Sequence, residues 1–464
     1  MVNLLNGFEA KQLSVEERMA AGKALRKVIS RADQAKYEPA TNRVDPVSIL
    51  EEQGKERLAT LVPIRYARML TSPFAFLRGG AAIMAADLAA QGKTTGISVQ
   101  ACGDMHVANF GIFASAERRL IFGINDFDET LPGPWEWDLK RLVASIVASG
   151  RFLGADKRLC KAAVRAAVRS YRKRMHEYAQ MGNLELWYST ITEKDILKTL
   201  ASPQQKALKA LGSKARERTH LQVLGKLTDL VGGKYRLKEN APFIVRETRT
   251  ENGRPIKEAL GLFLEAYFAS IADERKKLLS HYRIVDVARK VVGVGSVGTR
   301  CWIIFLSGNN TDDPLFLQVK EAQPSVLESV TSKSNYGQHG QRVVAGQRLI
   351  QGAPDIFLGW GELDGRHFYV RQLRDMKGGV EFNPGKTKLE HLGEYCKLCA
   401  WALALAHAKS GDAAMISGYA GKSNELDEAM LKFAFAYADQ TEKDHRALVA
   451  AVKSGRIKAA SSKE

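Results

Sequence analysis

The chain has 464 residues, of which 45% are hydrophobic and 26% are charged. These are the proportions of an ordinary globular protein, and they exclude a mainly disordered chain. At about 150 residues per domain, the length predicts about three units or two large lobes. Lys and Arg total 69 against 51 Asp and Glu, and the net charge of +18 favours anionic partners such as phosphorylated metabolites or nucleic acid.

The sequence does not favour a transmembrane or a secreted protein. Its longest apolar stretch, GGAAIMAADLAA, is far shorter than the ~20 residues of a membrane span. The N-terminus lacks the basic and apolar regions of a secretory signal, and the five cysteines fit a reducing compartment. We therefore expect a cytoplasmic protein without a membrane span, in which Cys396 and Cys399 pack inside a helical core instead of binding zinc.

The densest positive run is KRLCKAAVRAAVRSYRKR, residues 157–174. Small apolar residues separate the cations at helical spacing, which indicates one exposed helix face. The run lacks the regular alternation of cations and stacking aromatics that single-stranded nucleic acid favours. A solvated basic face is therefore the preferred interpretation, and nucleic-acid binding stays open as an alternative.

The N-terminal part of the chain is predicted to be helical. Residues 1–55 form a helical arm that ends in a loop around Pro46. Residues 57–92 form two helices that break at Ser72 and Pro73, because proline cannot continue a helix.

Residues 56–280 are predicted as a large-lobe-like half that carries catalytic and metal-binding loops. Three short strands are expected in ISVQAC, NFGIFAS and LIFGIN, followed by a PGP loop. Asp138 is a suitable N-cap for the next helix, and residues 156–230 are mostly helical.

Residues 281–380 are predicted as a small β-rich lobe with a glycine-rich loop. It contains a helix in QRVVAGQRLIQ and a hairpin that turns on Asp364 and Gly365. Residues 381–464 form a helical segment that returns to the large lobe and ends in a disordered basic tail.

The densest polar cluster is GDMHVANFG (residues 103–111) followed by NDFDET (residues 125–130). A turn after Asn109 lets the flanking strands pair, so that Asp126 returns towards Asn109. Amide and carboxylate oxygens of this kind bind a hard cation such as Mg²⁺ together with phosphate oxygens. Asp104 could then accept a proton from an attacking hydroxyl. The simpler alternative is a set of Asx turns that end the strands.

A second cluster, GVGSVG, contributes Gly293, Gly295 and Gly298. A dinucleotide-binding fingerprint needs a following helix, but the β-branched and aromatic TRCWIIFL predicts a strand. A glycine-rich turn between two strands is typical of kinases, where it covers the nucleotide phosphates. Lys320, in the strand LFLQVKEA, would contact the α- and β-phosphates. The simpler alternatives are a tight hairpin and an edge-strand lysine.

Two further segments, GYAGKS and GGVEFNPGKT, end as a P-loop does but lack its first glycine. Ile416 and Val380 stand at those positions. The second segment stays a rival phosphate site.

GDMHVAN, the hairpin, NDF and GPWEWDL together resemble the catalytic core of protein-kinase-like phosphotransferases, most closely the aminoglycoside and choline kinase branch. The resemblance implies ATP and Mg²⁺ as cofactors, Asp104 as the catalytic aspartate, and Asn109 and Asp126 as metal ligands. Asp138 matches the aspartate that opens a long helix and braces the catalytic loop. Asp128 stands where that branch has glycine, so it is a further metal ligand or a mark of altered chemistry.

The glycine-rich loop and Lys320 follow the catalytic loop by about 190 residues, the reverse of the order in ordinary kinases. The resemblance therefore implies an α+β, two-lobed protein-kinase-like fold that is circularly permuted and carries added helices. Permutation is tolerated where the termini lie close together on the surface. Glu328 is the first candidate for the usual glutamate partner of Lys320, and Glu321 is the second.

The chain is also similar to a bacterial family catalogued as domain of unknown function 2252, from about residue 65 to residue 455. Segments that carry the similarity include RMLTSPFAFLRGG, NDFDETLPGPWEWDLKRL and LAHAKSGD. It implies no activity. It adds candidate residues without roles, for which caps and ion pairs are the simpler interpretation: Arg78, His407, Asp412, Asp439 and Asp444.

From these patterns we expect an ATP- and Mg-dependent phosphotransferase that acts on a hydroxyl of a small molecule or protein. Nucleotidyl transfer by the same residues is one alternative. A catalytically inactive kinase-like or other binding module, which uses its basic surface on nucleic acid or anionic partners, is another. Binding of that last kind should weaken steeply with salt.

Overall fold

A computed structural model describes residues 11–217, 220–291, 293–310, 313–373 and 378–461. Helices and strands are both present, as the α+β prediction required. The expected disordered tail lies partly outside the described residues. The helices before the second β-rich region are α1 Val15–Ala24, α2 Pro46–Lys55, α3 Val62–Leu70, α4 Pro73–Gly79, α5 Ala81–Ala90, α6 Trp135–Phe152, α7 Lys157–Ala179, α8 Asn183–Tyr188, α9 Glu193–Thr199, α10 Ser202–Glu217, α11 His220–Leu227, α12 Ile256–Ala269 and α13 Asp273–Leu279.

The remaining helices confirm a helical C-terminal part. They are α14 His339–Ile350, α15 Leu392–Ser410, α16 Ala413–Ala420 and α17 Glu425–Lys453. The strands are β1 Ser98–Ala101, β2 Phe110–Ala114, β3 Leu120–Ile124, β4 Leu131–Pro134, β5 Ile191–Thr192, β6 Thr228–Val231, β7 Lys234–Leu237, β8 Ile244–Val245, β9 Arg283–Lys290, β10 Cys301–Ser307, β11 Pro314–Glu321, β12 Gly359–Leu363 and β13 Arg366–Gln372.

The largest sheet has six strands in the order β12-β13-β11-β10-β9-β8, and each neighbouring pair is antiparallel. The glycine-rich segment connects β9 to β10, as predicted from the strand-like residues on both sides of it. Cys301 pairs with Lys320 across β10 and β11. Asp364 and Gly365 have φ angles of 51° and 72° at the β12–β13 turn, which confirms the predicted hairpin.

A smaller hairpin carries the polar cluster of the first half. β2 and β3 pair from Phe110 with Ile124 to Ala114 with Leu120. The N–H of Asn125 extends this ladder by donating to the carbonyl of Asn109 at 2.9 Å. The hairpin therefore brings the residues after β3 back to the residues before β2, as the sequence predicted.

Several predicted boundaries were wrong. Pro46 begins α2 instead of lying in a loop, because the carboxylate of Asp45 caps that helix at the N–H of Val47. Residues 57–92 contain α3, α4 and α5, not two helices. PGP belongs to β4, which pairs with β1. Asp138 lies in the first turn of α6 and is not its N-cap, because the helix begins at Trp135.

The main hydrophobic core lies among α6, α7, α15, α16 and α17. Cys396 and Cys399 of α15 are completely buried in this core and are free thiols, which confirms their predicted packing role. A separate apolar cluster, built from Phe263, Tyr267, Leu317 and their neighbours, supports one face of the six-stranded sheet.

In the described ranges, no single helix is long and apolar enough to cross a membrane. The consecutive helices α4 and α5 reach the required length and composition only as a pair, and they are bent by 78° at their junction.

Candidate active site

A cavity of about 140 Å³ lies where the β2–β3 hairpin, the six-stranded sheet and helices α3 to α5 meet. Of the residues that the sequence predicted as catalytic, nucleotide-binding or metal-binding, only Gly298 is not among those that line the cavity. The others do: Asp104, Asn109, Asp126, Asp128, Gly293, Gly295 and Lys320.

The segment before Asp104 is held by the carboxylate of Asp138. Its Oδ2 accepts the N–H of Cys102 at 2.6 Å, and its Oδ1 accepts the N–H of Gly103 at 3.0 Å. Gly103 has a φ of 74°, and a Cβ there would lie 2.6 Å from the carbonyl oxygen of Glu129. Only glycine fits this turn, because it needs both a left-handed backbone and close approach of a neighbouring chain.

Asp138 is itself oriented by a buried chain of hydrogen bonds. His407 Nε2 lies 3.3 Å from Asp138 Oδ2, and His407 Nδ1 lies 2.8 Å from the hydroxyl of Tyr171. Because a carboxylate can only accept, His407 donates to Asp138 and accepts from Tyr171. His407, which the sequence left without a role, therefore positions Asp138 from α15.

Asp104 forms a buried ion pair with Arg141, one turn beyond Asp138 on α6. Arg141 Nε donates to Asp104 Oδ1 at 2.7 Å, and its Nη2 contacts the same oxygen and the carbonyl of Leu77. Asp104 Oδ2 does not accept from Arg141 and lies 3.7 Å from His106 Nε2. Burial raises the pKa of Asp104, although the charge of Arg141 opposes that shift. Sequence reasoning missed Arg141, yet its spacing from Asp138 placed it on the same helix face.

Asn109 and Asp126 lie on opposite sides of the hairpin base. The side-chain amide of Asn109 donates to the carbonyl of Asp104 at 2.7 Å, which leaves its oxygen as the remaining polar atom. Burial raises the pKa of Asp126, and the nearby charge of Asp128 raises it further. A bound cation would relieve this crowding of negative charge.

Lys320 and Asp128 form an ion pair across the cavity. Asp128 Oδ2 also accepts from the hydroxyl of Ser296 at 3.0 Å, and its Oδ1 accepts from the hydroxyl of Tyr369 at 2.7 Å. Burial alone would raise the pKa of Asp128, but the charge and hydrogen bond of Lys320 hold it below its usual value. The pKa of Lys320 is raised by Asp126 and Asp128 against the opposing effect of burial.

Neither candidate glutamate contacts Lys320. Glu328 accepts the N–H of Ser325 at 3.1 Å and lies 3.8 Å from Arg342 Nε. Glu321 pairs with Arg300 at 3.1 Å. Lys320 pairs instead with Asp128, so the two partner assignments made from the sequence were wrong.

The glycine-rich loop forms a short 3-10 turn, residues Val294–Ser296, over the aspartates. A Cβ on Gly295 would lie 3.4 Å from the carbonyl oxygen of Arg78 and 3.9 Å from Asp104 Oδ2. Gly298 does not line the cavity, and its carbonyl accepts the N–H of Leu58 at 2.8 Å. Gly298 therefore shapes and anchors the loop, whereas Gly293 and Gly295 face the cavity.

Arg342 of α14 fixes the backbone of the NDFDET segment. It donates to the carbonyls of Asp128 at 2.8 Å, Thr130 at 2.6 Å and Gln323 at 2.8 Å. This fully buried arginine connects α14 to both walls of the cavity. Nothing in its local sequence, QRVVAGQ, distinguishes it from a surface residue.

Metal binding at this site would depend on the side-chain oxygen of Asn109 and on oxygens of a bound substrate. Within the ranges that the structure describes, no three His, Cys, Asp or Glu side chains are arranged to hold a metal by themselves. Mg²⁺ commonly uses one or two protein carboxylates together with substrate phosphates and water. Asn109 and Asp126 fit that pattern, while both oxygens of Asp128 already have protein partners.

The other candidates have structural contacts. Asp412 caps α16 at the N–H of Met415, Asp439 pairs with Arg151, and Asp444 pairs with Arg43. Arg78 differs from them, because it lines the cavity.

The two P-loop-like segments lie elsewhere. GYAGKS covers the end of α16 and the following Gly421, which has a φ of 68°. Residues 379–383 and 386–388 line a separate, largely apolar cavity of about 440 Å³ beside β2 and α15. GYAGKS begins inside α16 and therefore follows a helix, and GGVEFNPGKT is followed by a short 3-10 helix, Leu389–His391. Neither segment is the strand, glycine loop and α-helix unit of a P-loop.

A family model described as "Uncharacterized protein conserved in bacteria (DUF2252)" matches residues 57–451. This range contains every residue that lines the cavity except Gln53. No curated protein and no solved structure gives a significant match to the chain.

Proposed function

The chain belongs to this bacterial family, DUF2252, whose description assigns no activity. From the geometry of its candidate active site, we propose that the protein is an ATP- and Mg-dependent phosphotransferase that acts on a hydroxyl. One observation carries the proposal. Asp104, Asn109 and Asp126 share a single cavity with Lys320 and the glycine-rich loop, although the two groups are far apart in the sequence.

The order of elements in the six-stranded sheet supports a kinase-like small lobe. A strand, a glycine-rich loop, a second strand, a lysine-bearing third strand, a helix and a two-stranded hairpin follow one another from β9 to β13. In kinases the glycine-rich loop and the lysine-bearing strand precede the catalytic loop, whereas in this chain they follow it. The proposal therefore includes a two-lobed kinase-like fold in circularly permuted order.

Asp104 would act on the acceptor. Its Oδ2, which Arg141 leaves free, takes the proton of the acceptor hydroxyl as the acceptor oxygen bonds to the γ-phosphorus. The bond between that phosphorus and the β,γ-bridging oxygen breaks, and ADP leaves with the electron pair. Arg141 and the backbone contacts of Asp138 keep the carboxylate in position, and such positioning supplies much of the catalysis in phosphoryl transfer.

Asn109 and Asp126 would hold Mg²⁺, which neutralises charge on the β- and γ-phosphates. Lys320 and the N–H groups around Gly293 and Gly295 would contact the phosphates. Asp128 would anchor Lys320 instead of serving as a primary metal ligand, because its oxygens are already engaged by Lys320, Ser296 and Tyr369.

The test is thermal unfolding with and without Mg-ATP, together with turnover, for the wild type and Asp126→Ala. A ligand at about 100 times its dissociation constant stabilises the folded state by ~2.7 kcal/mol. We expect a Mg-dependent stabilisation that is lost in Asp126→Ala. The matched control is Asp273→Ala, because Asp273 is 95% exposed at the start of α13, away from the cavity.

The products separate the alternatives. ADP release supports phosphoryl transfer, and pyrophosphate release indicates nucleotidyl transfer by the same residues. Mg-dependent nucleotide binding without either product indicates an inactive binding module. Equal stabilisation of the wild type and Asp126→Ala would contradict the metal assignment.

A further inference from the structure

Three arginines form one wall of the candidate active site. Arg57 lies just after α2, Arg65 belongs to α3 and Arg78 belongs to α4, and all three line the cavity. We refer to them as the arginine wall. This wall comes from the helical region that precedes the catalytic loop, and Arg57 reaches from it to the glycine-rich loop at Val297.

Arg65 is only 1% exposed, yet it has no carboxylate partner. Its Nη2 donates to Gln53 Oε1 at 3.0 Å and to the carbonyl of Gly79 at 2.9 Å. Its Nε and Nη1 are buried without a hydrogen-bond partner. Burial lowers the pKa of Arg65, and the neighbouring positive charge of Arg57 lowers it further.

Arg57 and Arg78 are half-buried, and each has one buried nitrogen without a hydrogen-bond partner. Arg57 Nη1 donates to the carbonyl of Val297 at 2.5 Å, but its Nε has no partner. Arg78 Nε is also buried without a partner, and its closest aromatic contact is the ring of Phe74 at 5.9 Å. In the described part of the chain, none of these three side chains forms an ion pair within 4.0 Å.

Two arginines outside the cavity are neutralised by carboxylates. Arg43 binds both Asp87 and Asp444, and Arg172 binds Asp427 through two nitrogens. An uncompensated buried cation is costly. Arg65 is such a cation, and the half-buried Arg57 and Arg78 share its cavity wall without a carboxylate of the described residues in direct contact. This concentration of positive charge indicates an anionic ligand. Guanidinium groups match phosphate in geometry and charge better than ammonium groups do.

We propose that the arginine wall binds a phosphate or similar oxyanion carried by the acceptor substrate. This proposal rests on the proposed phosphotransferase function and names its acceptor class. Arg78 lies near the carboxylate that would act on the acceptor, because its charge opposes the rise that burial causes in the pKa of Asp104 and its backbone carbonyl and Asp104 Oδ2 both flank the position of Gly295. Gly295 also belongs to the loop assigned to the nucleotide phosphates, so competition with a nucleotide analogue decides between the two.

The experiment measures the affinity for inorganic phosphate in the absence of nucleotide, by isothermal titration of the full chain. The variants are Arg78→Gln and Arg65→Gln. Since a hydrogen bond to a charged group contributes about 1.5–3 kcal/mol, we expect the dissociation constant to rise about tenfold or more in each variant. Arg78→Gln decides the matter if the buried Arg65→Gln fails to fold. Unchanged phosphate affinity in Arg78→Gln overturns the proposal.

Arg348→Gln is the matched control. Arg348 also donates to a backbone carbonyl, that of Leu358 at 2.6 Å, but it lies on α14 outside the cavity. Its phosphate affinity should equal that of the wild type. An equal loss in this control would show a general charge effect and overturn the arginine wall as the site.

Two further measurements are needed. The first distinguishes an acceptor site from a nucleotide site, and the second distinguishes failure of the oxyanion site from failure of the proposed function. Phosphate affinity that is unchanged by a saturating, non-hydrolysable Mg-ATP analogue supports an acceptor site, whereas competition assigns the wall to the nucleotide and overturns the proposal. Phosphate binding should persist in Asp126→Ala. Failure of nucleotide turnover with intact, Arg78-dependent phosphate binding would therefore count against the proposed function and not against the oxyanion site.

Discussion

Lys320 and Asp128 are 192 residues apart in the sequence, yet they form an ion pair at the centre of the candidate active site. The pair joins the segment after β3 to the third strand of the six-stranded sheet. Tyr369 and Ser296 donate to the same carboxylate. The carboxylate of Asp128, which the sequence assigned to metal binding, therefore fixes the position of the Lys320 ammonium group.

Breaking this pair should destabilise the fold. Removal of one partner from a buried ion pair typically costs about 3–5 kcal/mol, because the other charge is left uncompensated. We expect Asp128→Asn to lower the free energy of unfolding by an amount in that range. The double variant, Asp128→Asn with Lys320→Met, should lose less stability than the two single variants together. The measurement is urea unfolding at pH 7, analysed as a double-mutant cycle.

The second half of this test is turnover. Lys320→Met should abolish nucleotide turnover in the protein that remains folded, whereas Lys290→Met, on β9 outside the cavity, should not. Strictly additive losses of stability in the cycle would contradict direct coupling between Lys320 and Asp128.

The glycine-rich loop predicts different effects for two of its glycines. Gly298 has a φ of 92°, and a Cβ there would lie 3.0 Å from Arg57 Cβ, so Gly298→Ala should cost about 1–3 kcal/mol of stability. A Cβ on Gly295 meets no atom closer than 3.4 Å, so Gly295→Ala should change stability by less than about 0.5 kcal/mol. It should instead weaken Mg-ATP binding, because its methyl group enters the cavity above Asp104.

Thermal unfolding with and without Mg-ATP measures both effects. Gly233→Ala is a control for backbone strain, since Gly233 has a φ of 76° in a turn with open space around it. It should lose stability but keep the nucleotide response. A normal nucleotide response in Gly295→Ala would show that the loop does not cover the phosphates.

Local patterns predicted the parts of this site that depend on neighbouring residues. The alternation in NFGIFAS and LIFGIN predicted a hairpin, and the hairpin brings Asn109 and Asp126 together. The strand-like residues on both sides of GVGSVG predicted the β9–β10 connection. Each of these predictions uses interactions within a few residues, where periodicity and turn chemistry are decisive.

The contacts that the sequence did not reveal are long-range. His407 reaches Asp138 from α15, and Lys320 finds Asp128 in preference to either glutamate. Helix boundaries failed for a related reason: Pro46 and Asp138 have more than one allowed place in a helical turn. Tertiary packing selects among these possibilities, and one sequence does not contain that information in local form.

The contacts of Asp138 with the backbone before Asp104 give a further prediction. Both oxygens of Asp138 accept backbone N–H groups, so Asp138→Asn must turn an amide NH₂ towards one of them. We expect a loss of about 1–3 kcal/mol for the unsatisfied group. Misplacement of Asp104 by about 1 Å could reduce turnover by about 100-fold. Measurements of kcat and of KM for ATP should show the change mainly in kcat.

Asp427→Asn is a matched control, because Asp427 is 1% exposed and binds Arg172 away from the cavity. It should lose stability without losing kcat in the folded fraction. If Asp138→Asn loses stability alone, the carboxylate supports the fold but does not position the catalytic loop.

Glu129 predicts a specific dependence of stability on pH. Burial raises its pKa from 4.5 to about 7, and its carboxylate accepts the N–H of Val326 at 2.7 Å. Between pH 4.5 and about 7, the unfolded chain has released this proton and the folded chain still holds it. The contribution of Glu129 to stability is therefore complete below pH 4.5 and is lost as the pH rises to about 7.

Glu129→Gln removes this titration while it keeps a side-chain acceptor for Val326. We expect the free energy of unfolding of the variant, relative to the wild type, to increase as the pH rises from 4.5 to 7.5, and then to stay constant. Urea unfolding at several pH values measures this difference, with the exposed Glu390→Gln as the control. A difference that does not change with pH would show that Glu129 ionises alike in both states, and that the cavity is more accessible to water than its burial implies.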